Sequence, residues 1–460
     1  MPASAVRIFN SISTTKVEHT STILDKAAVL GGSVAGLIAA RVLAYYAKTV
    51  VIIDRDDLDT TENSRPGVPQ SSQVHTLLLG GLRQLERWYP GFASQGQREG
   101  AVMVSGKNIL TYIDGVCQDP IYDTEMLCSS RPFLEGLIRR RTLEVSNVRT
   151  VKGRIMGLDF HSGAVVGVRY QSGDREVAEA ADLVVDAMGR ASRLSEWLEG
   201  AGWERPPLRR KSVGLNYATG YFARDSLRSD DVAAVSRRTT DLSTARTAGG
   251  TVSPVEGDRW VVLLAGYDDD RPGRTTEDFL RRCREDLPPI FGQAVAGELI
   301  GEIKTYHQAD SRRRDFHLVG RLPARLVSVG DAVASFNPVY GQGMTSAALH
   351  ASCLSAYLRS SPDLDVPARE FFRLQRVVVD AAWQISTQAD DARQPDTGML
   401  SLSERISRWL GEEVVSAATK DKIIAKRFND VMTMTTHPSV LFSPGAILRS
   451  IMANRGLIRS

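Results

Sequence analysis

The residues with the clearest chemical grammar are glycines and acids placed where turns should fall. Gly31-Gly32-Ser33-Val34-Ala35-Gly36 matches a G-x-G-x-x-G phosphate loop at its first and third glycines, with Ser33 in the middle position. In such a loop the first glycine permits the tight turn, the middle position lets backbone approach a pyrophosphate, and the last lets helix pack closely on strand. The unpaired N–H groups and positive dipole end of the following helix suit the anion. Asp54, about twenty residues on, is placed to accept hydrogen bonds from ribose hydroxyls, and its charge disfavours a 2′-phosphate. Arg55 adjoins it.

A second constellation lies far downstream: Gly330-Asp331-Ala332, then Asn337-Pro338-Val339-Tyr340-Gly341-Gln342-Gly343-Met344-Thr345. Its order is strand end, acid, glycine loop, helix start. Asp331 at the carboxyl end of a parallel strand could accept hydrogen bonds from a polyol such as a ribityl chain. The N–H groups of Met344 and Thr345, aimed at the N1–C2=O edge of an isoalloxazine ring, would stabilise negative charge on reduced flavin. Either motif alone also reads as an ordinary capped turn; together they outline one FAD site.

Elements must bring these residues together. Ala27 to Leu30, Val34 to about Tyr46 and Thr49 to Ile53 read as strand, helix and strand, a βαβ unit. Residues 57–75 read as a long loop. Helices are expected over Gly80–Trp88 and Pro132–Leu143, with strand-like alternation over 101–128. Further strands are expected at 166–186, Val213–Phe222, Trp260–Gly266 and Arg325–Gly330, and a helix over Met344–Leu358. The expected fold is α/β: a Rossmann-like FAD-binding domain (26–100, 129–206 and 309–375) interleaved with a largely antiparallel β-sheet substrate domain (101–128 and 207–308). A helical C-terminal region (376–460) follows, and 1–25, rich in Ser and Thr, reads as a flexible extension. Ser443, Pro444 and the stripe Ile447, Leu448, Ile451 and Met452 mark a last helix, its stripe read as core-packing, with peripheral membrane or partner contact as the alternative.

At 460 residues the chain exceeds the size at which one core usually stops growing. A net charge of +3 leaves nucleic-acid binding no electrostatic footprint. Arg139 to Arg141 and Arg312 to Arg314 read as solvated faces or local ion pairs. Cys117, Cys128, Cys283 and Cys353 lack CxxC spacing and disulfide density, which fits a reducing compartment. With no secretory signal or transmembrane stretch visible, a cytoplasmic enzyme is expected. No metal cluster is expected.

The two motifs resemble those of the single-component FAD-dependent monooxygenases of the p-hydroxybenzoate hydroxylase-like superfamily, over most of residues 26–375. The resemblance implies FAD contacts at Gly31, Ser33, Gly36, Asp54 and Arg55, at Arg131 in Ser130-Arg131-Pro132-Phe133-Leu134, and at Asp331, Pro338, Gly341, Gly343, Met344 and Thr345. Where that superfamily carries Asp-Gly, this chain reads Asp186-Ala187-Met188-Gly189-Arg190, with Met188 at the acid position and Asp186 read as a strand-end acid. That departure puts the electron donor, NADPH or NADH, in question. Arg65 to Gln70 with His75, and Ser192 to Leu198, resemble a narrower branch that includes polyether polyene epoxidases. His75 could approach the flavin, although a lone histidine is more often structural. The implied reaction inserts one oxygen of O2 into an apolar small molecule through a C4a-hydroperoxyflavin, by epoxidation of an alkene or hydroxylation of an aromatic ring in natural-product biosynthesis. An FAD-dependent reductase saturating prenyl double bonds and a non-catalytic binding protein of the same fold are the alternatives; a Trp-x-Trp-x-Ile-Pro halogenase segment is absent.

Overall fold

The computed structural model describes residues 2–17, 20–59, 77–225, 230–238, 247–391 and 402–458. Five parallel strands carry the glycine turns. Across the sheet they run Leu326–Ser328, Leu183–Asp186, Leu24–Leu30, Ala47–Asp54 and Val148–Lys152. Ala27 to Leu30 and Val50 to Ile53 are buried without alternation, as in a parallel sheet covered on both faces. The helix Val34–Leu43 joins the first two strands in sequence and packs against the helix Gln342–Arg359. The FAD-binding α/β fold expected from the sequence is therefore present.

The second large sheet has eight strands in the order Ala334–Ser335, Leu299–Arg314, Leu208–Ala223, Arg259–Tyr267, Gly249–Val255, Ala233–Arg237, Ile109–Ile113 and Val116–Cys117. Every pairing is antiparallel except Ala233–Arg237 with Ile109–Ile113. One face is closed by the helices Thr276–Glu285 and Pro289–Ala294, which bury Phe279, Cys283 and Phe291 against Ala218, Phe222, Val252 and Leu264. Two smaller sheets complete the strands, one of three over residues 154–180 and one pairing Val102–Ser105 with Glu125–Cys128.

Three expectations need correction. Pro2–Ile12 is a helix rather than a flexible extension. Ala5, Ile8, Phe9 and Ile12 repeat at helical spacing, Phe9 and Ile12 are each 1% exposed, and Gln84 and Arg87 donate to the carbonyls of Ser13 and Ile12. The last helix, Pro444–Asn454, does follow Ser443, but Ala446, Ser450 and Ala453 form its buried face. Leu448 of the expected core stripe is 60% exposed. Small side chains let this helix lie close to the helix Leu402–Ala418, where Asn454 bonds to Glu413. Arg139 is buried on the inward face of the helix Arg131–Leu143, so the solvated-face alternative does not hold for it; Arg140, Arg312 and Arg313 make the expected ion pairs, with Glu99, Asp310 and Asp315. All four cysteines are free. Among the described residues, no helix is long and apolar enough to cross a membrane.

Candidate functional site

The first glycine turn is dictated by contact. Gly31 has φ +102°, and a Cβ there would lie 2.7 Å from the Ala187 carbonyl oxygen; one on Gly36 would lie 1.8 Å from the Gly31 carbonyl oxygen. The backbone N–H groups of Gly32 and Asp56 donate to the Asp54 carboxylate at 2.5 and 2.9 Å, which fixes that acid beside the turn at the end of its strand. Arg55 is exposed next to it. Ser33 takes the N-cap position of the helix Val34–Leu43 without capping it through its side chain. Its hydroxyl instead donates to Glu135 Oε2 at 3.1 Å, and Arg131, ion-paired with Glu135 at 3.1 Å, reaches Ser33 Oγ at 3.4 Å. Arg131 and the phosphate turn are thus one hydrogen-bonded unit. Glu135 went unread in the sequence; its signal was the i, i+4 spacing from Arg131.

The second motif closes onto the first. Gly330 has φ +62°, and a Cβ there would lie 2.5 Å from the Ala35 Cβ, so the Gly330-Asp331 turn sits directly on the phosphate turn. The Gly330 N–H donates to Nδ1 of the fully buried His350 at 3.0 Å. Burial pushes that imidazole down to about 3, so it is neutral, with Nε2 carrying the proton toward Ser346 Oγ at 3.3 Å. Burial pushes the Asp331 carboxyl up from its ordinary value, opposed by the guanidiniums of Arg190 and Arg131. Asp331 therefore lies in the field of two cations drawn from the other motifs, each ion-paired elsewhere, Arg131 with Glu135 and Arg190 with Asp310.

The helix Gln342–Arg359 begins after Gly341, at φ +66°, and no side chain caps it. Asn337 holds the preceding turn by accepting from the Val339 N–H at 3.1 Å, and Pro338 is exposed. At this helix start both amide atoms of Gln342 and the hydroxyl of Thr345 are buried without hydrogen-bond partners. Open space lies beside Gly343 where a Cβ would project, while Met344 is 7% exposed.

A third segment, Asp186 to Arg193, joins them. Asp186 is fully buried and accepts from the Met188 N–H, Ser192 Oγ and Ser328 Oγ at 3.1, 2.7 and 3.1 Å. It is a strand-end acid that pins the turn and is consumed by those donors, so it does not replace the acid absent at Met188. Arg190, unmarked in the sequence as a site residue, donates to Ser335 Oγ at 2.6 Å and pairs with Asp310 at 2.7 Å, tying the turn to the eight-stranded sheet. His75 and the Arg65 to Gln70 loop lie outside the described residues.

FAD suits this arrangement. A turn narrowed by Gly31 and Gly36 offers a helix N-terminus to a pyrophosphate, with Asp54 and Asp331 as hydrogen-bond acceptors to either side. The orphaned Gln342 and Thr345 atoms and the space at Gly343 give a planar ring with hydrogen-bonding edges a berth at the second helix start.

Comparison with known proteins agrees. Residues 210–360 match the FAD binding domain family. The chain is 31% identical to protein Rv3254 of Mycobacterium tuberculosis over 93% of this chain and 94% of that one. It is 22% identical to the FAD-dependent monooxygenase asqG of Emericella nidulans over 86% of this chain and 71% of that one. The flavin-dependent brominase Bmp2 shares the fold at a TM-score of 0.65 and 15% identity, with 94% of this chain and 99% of that chain covered. The glycine turn at Gly31, the Gly330-Asp331 turn packed against it and these relationships lead to one assignment: the chain carries an FAD binding domain and belongs to the same family as protein Rv3254.

Proposed function

We propose that the protein uses FAD and O2 to insert one oxygen atom into an apolar organic molecule, by epoxidation of an alkene or hydroxylation of an aromatic ring, with reduced nicotinamide as electron donor. The observation that carries this reading is the uncapped start of the helix Gln342–Arg359, with its orphaned Gln342 and Thr345 atoms, beside Asp331. FAD, when bound and reduced, supplies the activation of dioxygen.

The chain's own residues then have defined tasks. Gly31, Ser33 and Gly36 present a helix end to the pyrophosphate, Asp54 accepts from ribose, and Asp331, flanked by Arg131 and Arg190, accepts from the ribityl chain. The Met344 and Thr345 N–H groups favour negative charge at the ring edge. The substrate is held over an apolar face of the large sheet, where Leu215, Tyr217, Ala265, Leu263, Tyr267 and Tyr306 cluster with Val339 of the same loop. Burial pushes the Tyr217 phenol well above its ordinary value, so it stays protonated and acts as wall rather than base. Excluding water and fixing the substrate is the contribution such a face can make.

The test is an absorbance spectrum of the purified protein, then oxidation of NADPH and NADH under O2 with candidate alkenes and phenols. A product heavier by one oxygen supports the proposal. A saturated product without oxygen selects a reductase, halide incorporation selects a halogenase, and a protein that is colourless and takes up no FAD overturns the reading.

A further inference from the structure

The helix Arg131–Leu143 starts with half of a capping box. Ser130 is its N-cap, and the Ser130 hydroxyl accepts the Phe133 N–H at 3.3 Å. In the complete motif the residue three positions on is a Glu or Gln that reaches back to accept the N-cap N–H. Here that position is Phe133, whose side chain has no acceptor, while Ser130 is 8% exposed and its N–H is shut away from water. The missing acceptor comes from 126 residues along the chain: the Ser130 N–H donates to Glu256 Oε2 at 2.9 Å. The charge suits the place, since a carboxylate is favoured at a helix N-terminus.

Glu256 is itself tightly seated. It opens the turn between the strands Gly249–Val255 and Arg259–Tyr267, where Gly257 and Asp258 have φ +74° and +49°. Arg259 grips it twice, donating from Nε to the Glu256 carbonyl at 2.9 Å and from Nη2 to Oε1 at 2.8 Å. On the other side a Cβ on Gly100 would lie 3.3 Å from the Glu256 Cβ, so the stem has little room to swing. The Arg259 guanidinium stands 5.2 Å from the centre of the Tyr221 ring. Tyr221 follows Tyr217 by four residues on one strand, facing Val261 as Tyr217 faces Ala265, so both project from the apolar face of the large sheet. Contacts therefore run from that face through Arg259 and Glu256 to the residue before Arg131, and from Arg131 to Glu135 and Ser33 of the phosphate turn. Two carboxylates fix this arginine: Glu135 holds the guanidinium, and Glu256 holds the backbone from which it springs. A helix start stripped of such a partner has an orphaned donor and frays, and Arg131 is the first residue of this helix.

We infer that Glu256 is a positioning residue for the cofactor, which completes from the large sheet the cap of the helix Arg131–Leu143 and so sets Arg131 against the phosphate turn. This rests on the proposed FAD site and adds to it the route by which the large sheet steadies its phosphate end.

The experiment titrates FAD into apoprotein of the full chain, following flavin fluorescence, for wild type, Glu256→Ala, Glu256→Gln, Arg131→Gln and the double variant Glu256→Ala with Arg131→Gln. Glu256→Ala should weaken FAD binding on the order of tenfold, as expected for a lost hydrogen bond to a charged acceptor. Glu256→Gln keeps an oxygen for the Ser130 N–H and should stay within about threefold of wild type. Because Glu256 acts through Arg131, the double variant should bind FAD no more than about twofold more weakly than Arg131→Gln alone. If Arg131→Gln does not fold, Arg131→Lys takes its place in the cycle. The inference is overturned if Glu256→Ala binds FAD as wild type does, if Glu256→Gln is as weak as Glu256→Ala, or if the two losses add in the double variant. A wild-type protein that takes up no FAD would instead remove the cofactor reading, and this inference with it.

Discussion

Nδ1 of His350 accepts the backbone N–H of Gly330 at 3.0 Å, so a helix of the FAD domain holds from behind the turn that presents Asp331. His350→Leu leaves that N–H buried and unpaired, which should cost about 1–3 kcal/mol and loosen FAD. The pH dependence has a definite sign. The imidazole is depressed from 6.5 to about 3 in the fold, so the unfolded chain binds the extra proton below 6.5. Stability should fall by about 1.4 kcal/mol per pH unit as pH drops from 6.5 toward 3, and thermal melts of His350→Leu should show a shallower slope there.

Asp331→Ala should weaken FAD retention by on the order of tenfold to a hundredfold, read as the ratio of flavin to protein absorbance after gel filtration. Full flavin occupancy in this variant would remove Asp331 from the site.

Thr345→Val separates cofactor binding from folding. The native hydroxyl is buried without a partner, so the isosteric methyl should raise the melting temperature of FAD-free protein. The same variant should bind FAD less tightly. Equal losses in both measurements would mark Thr345 as purely structural.

Gly36→Ala places a methyl 1.8 Å from the Gly31 carbonyl oxygen. At least the roughly 1–3 kcal/mol of an overpacked core is expected, with loss of flavin. Ser33→Gly, which removes the bonds to Glu135 and Arg131, should keep flavin and melt within about 1–2 kcal/mol of wild type.

Phe9→Ala should lower stability by about 3–5 kcal/mol in denaturant titration, because the ring is enclosed. A change near zero would mean that the N-terminal helix contributes nothing to the fold.

The glycine turns, the parallel sheet and the helix after Tyr340 were legible because backbone geometry there admits few residue types. Asp54 and Asp331 were legible for a related reason, being acids at strand ends. His350 was not, since a histidine within Ala348 to Ser352 of a small-residue helix carries no local mark of the turn it supports. The helix Pro2–Ile12 was masked by serines and threonines, although its apolar spacing was readable. In the last helix, bulk misled: Leu448 suggested a core face, but alanine and serine permit the closer approach.

The strands Leu208–Ala223 and Leu299–Arg314 are sixteen residues each and paired almost end to end, with two register shifts. At strand rise this is a girder roughly 54 Å long, anchored at one end by Arg190 and the Ala334–Ser335 strand, with Tyr217 and Tyr306 of the apolar face paired along its length. Because Arg190 ties the turn after Asp186 to this pair of strands, the cofactor crevice is fixed against one end of a backbone ladder that carries the apolar face further along. A clamshell opening of the two sheets would have to break the Arg190–Asp310 pair before it could bend that ladder.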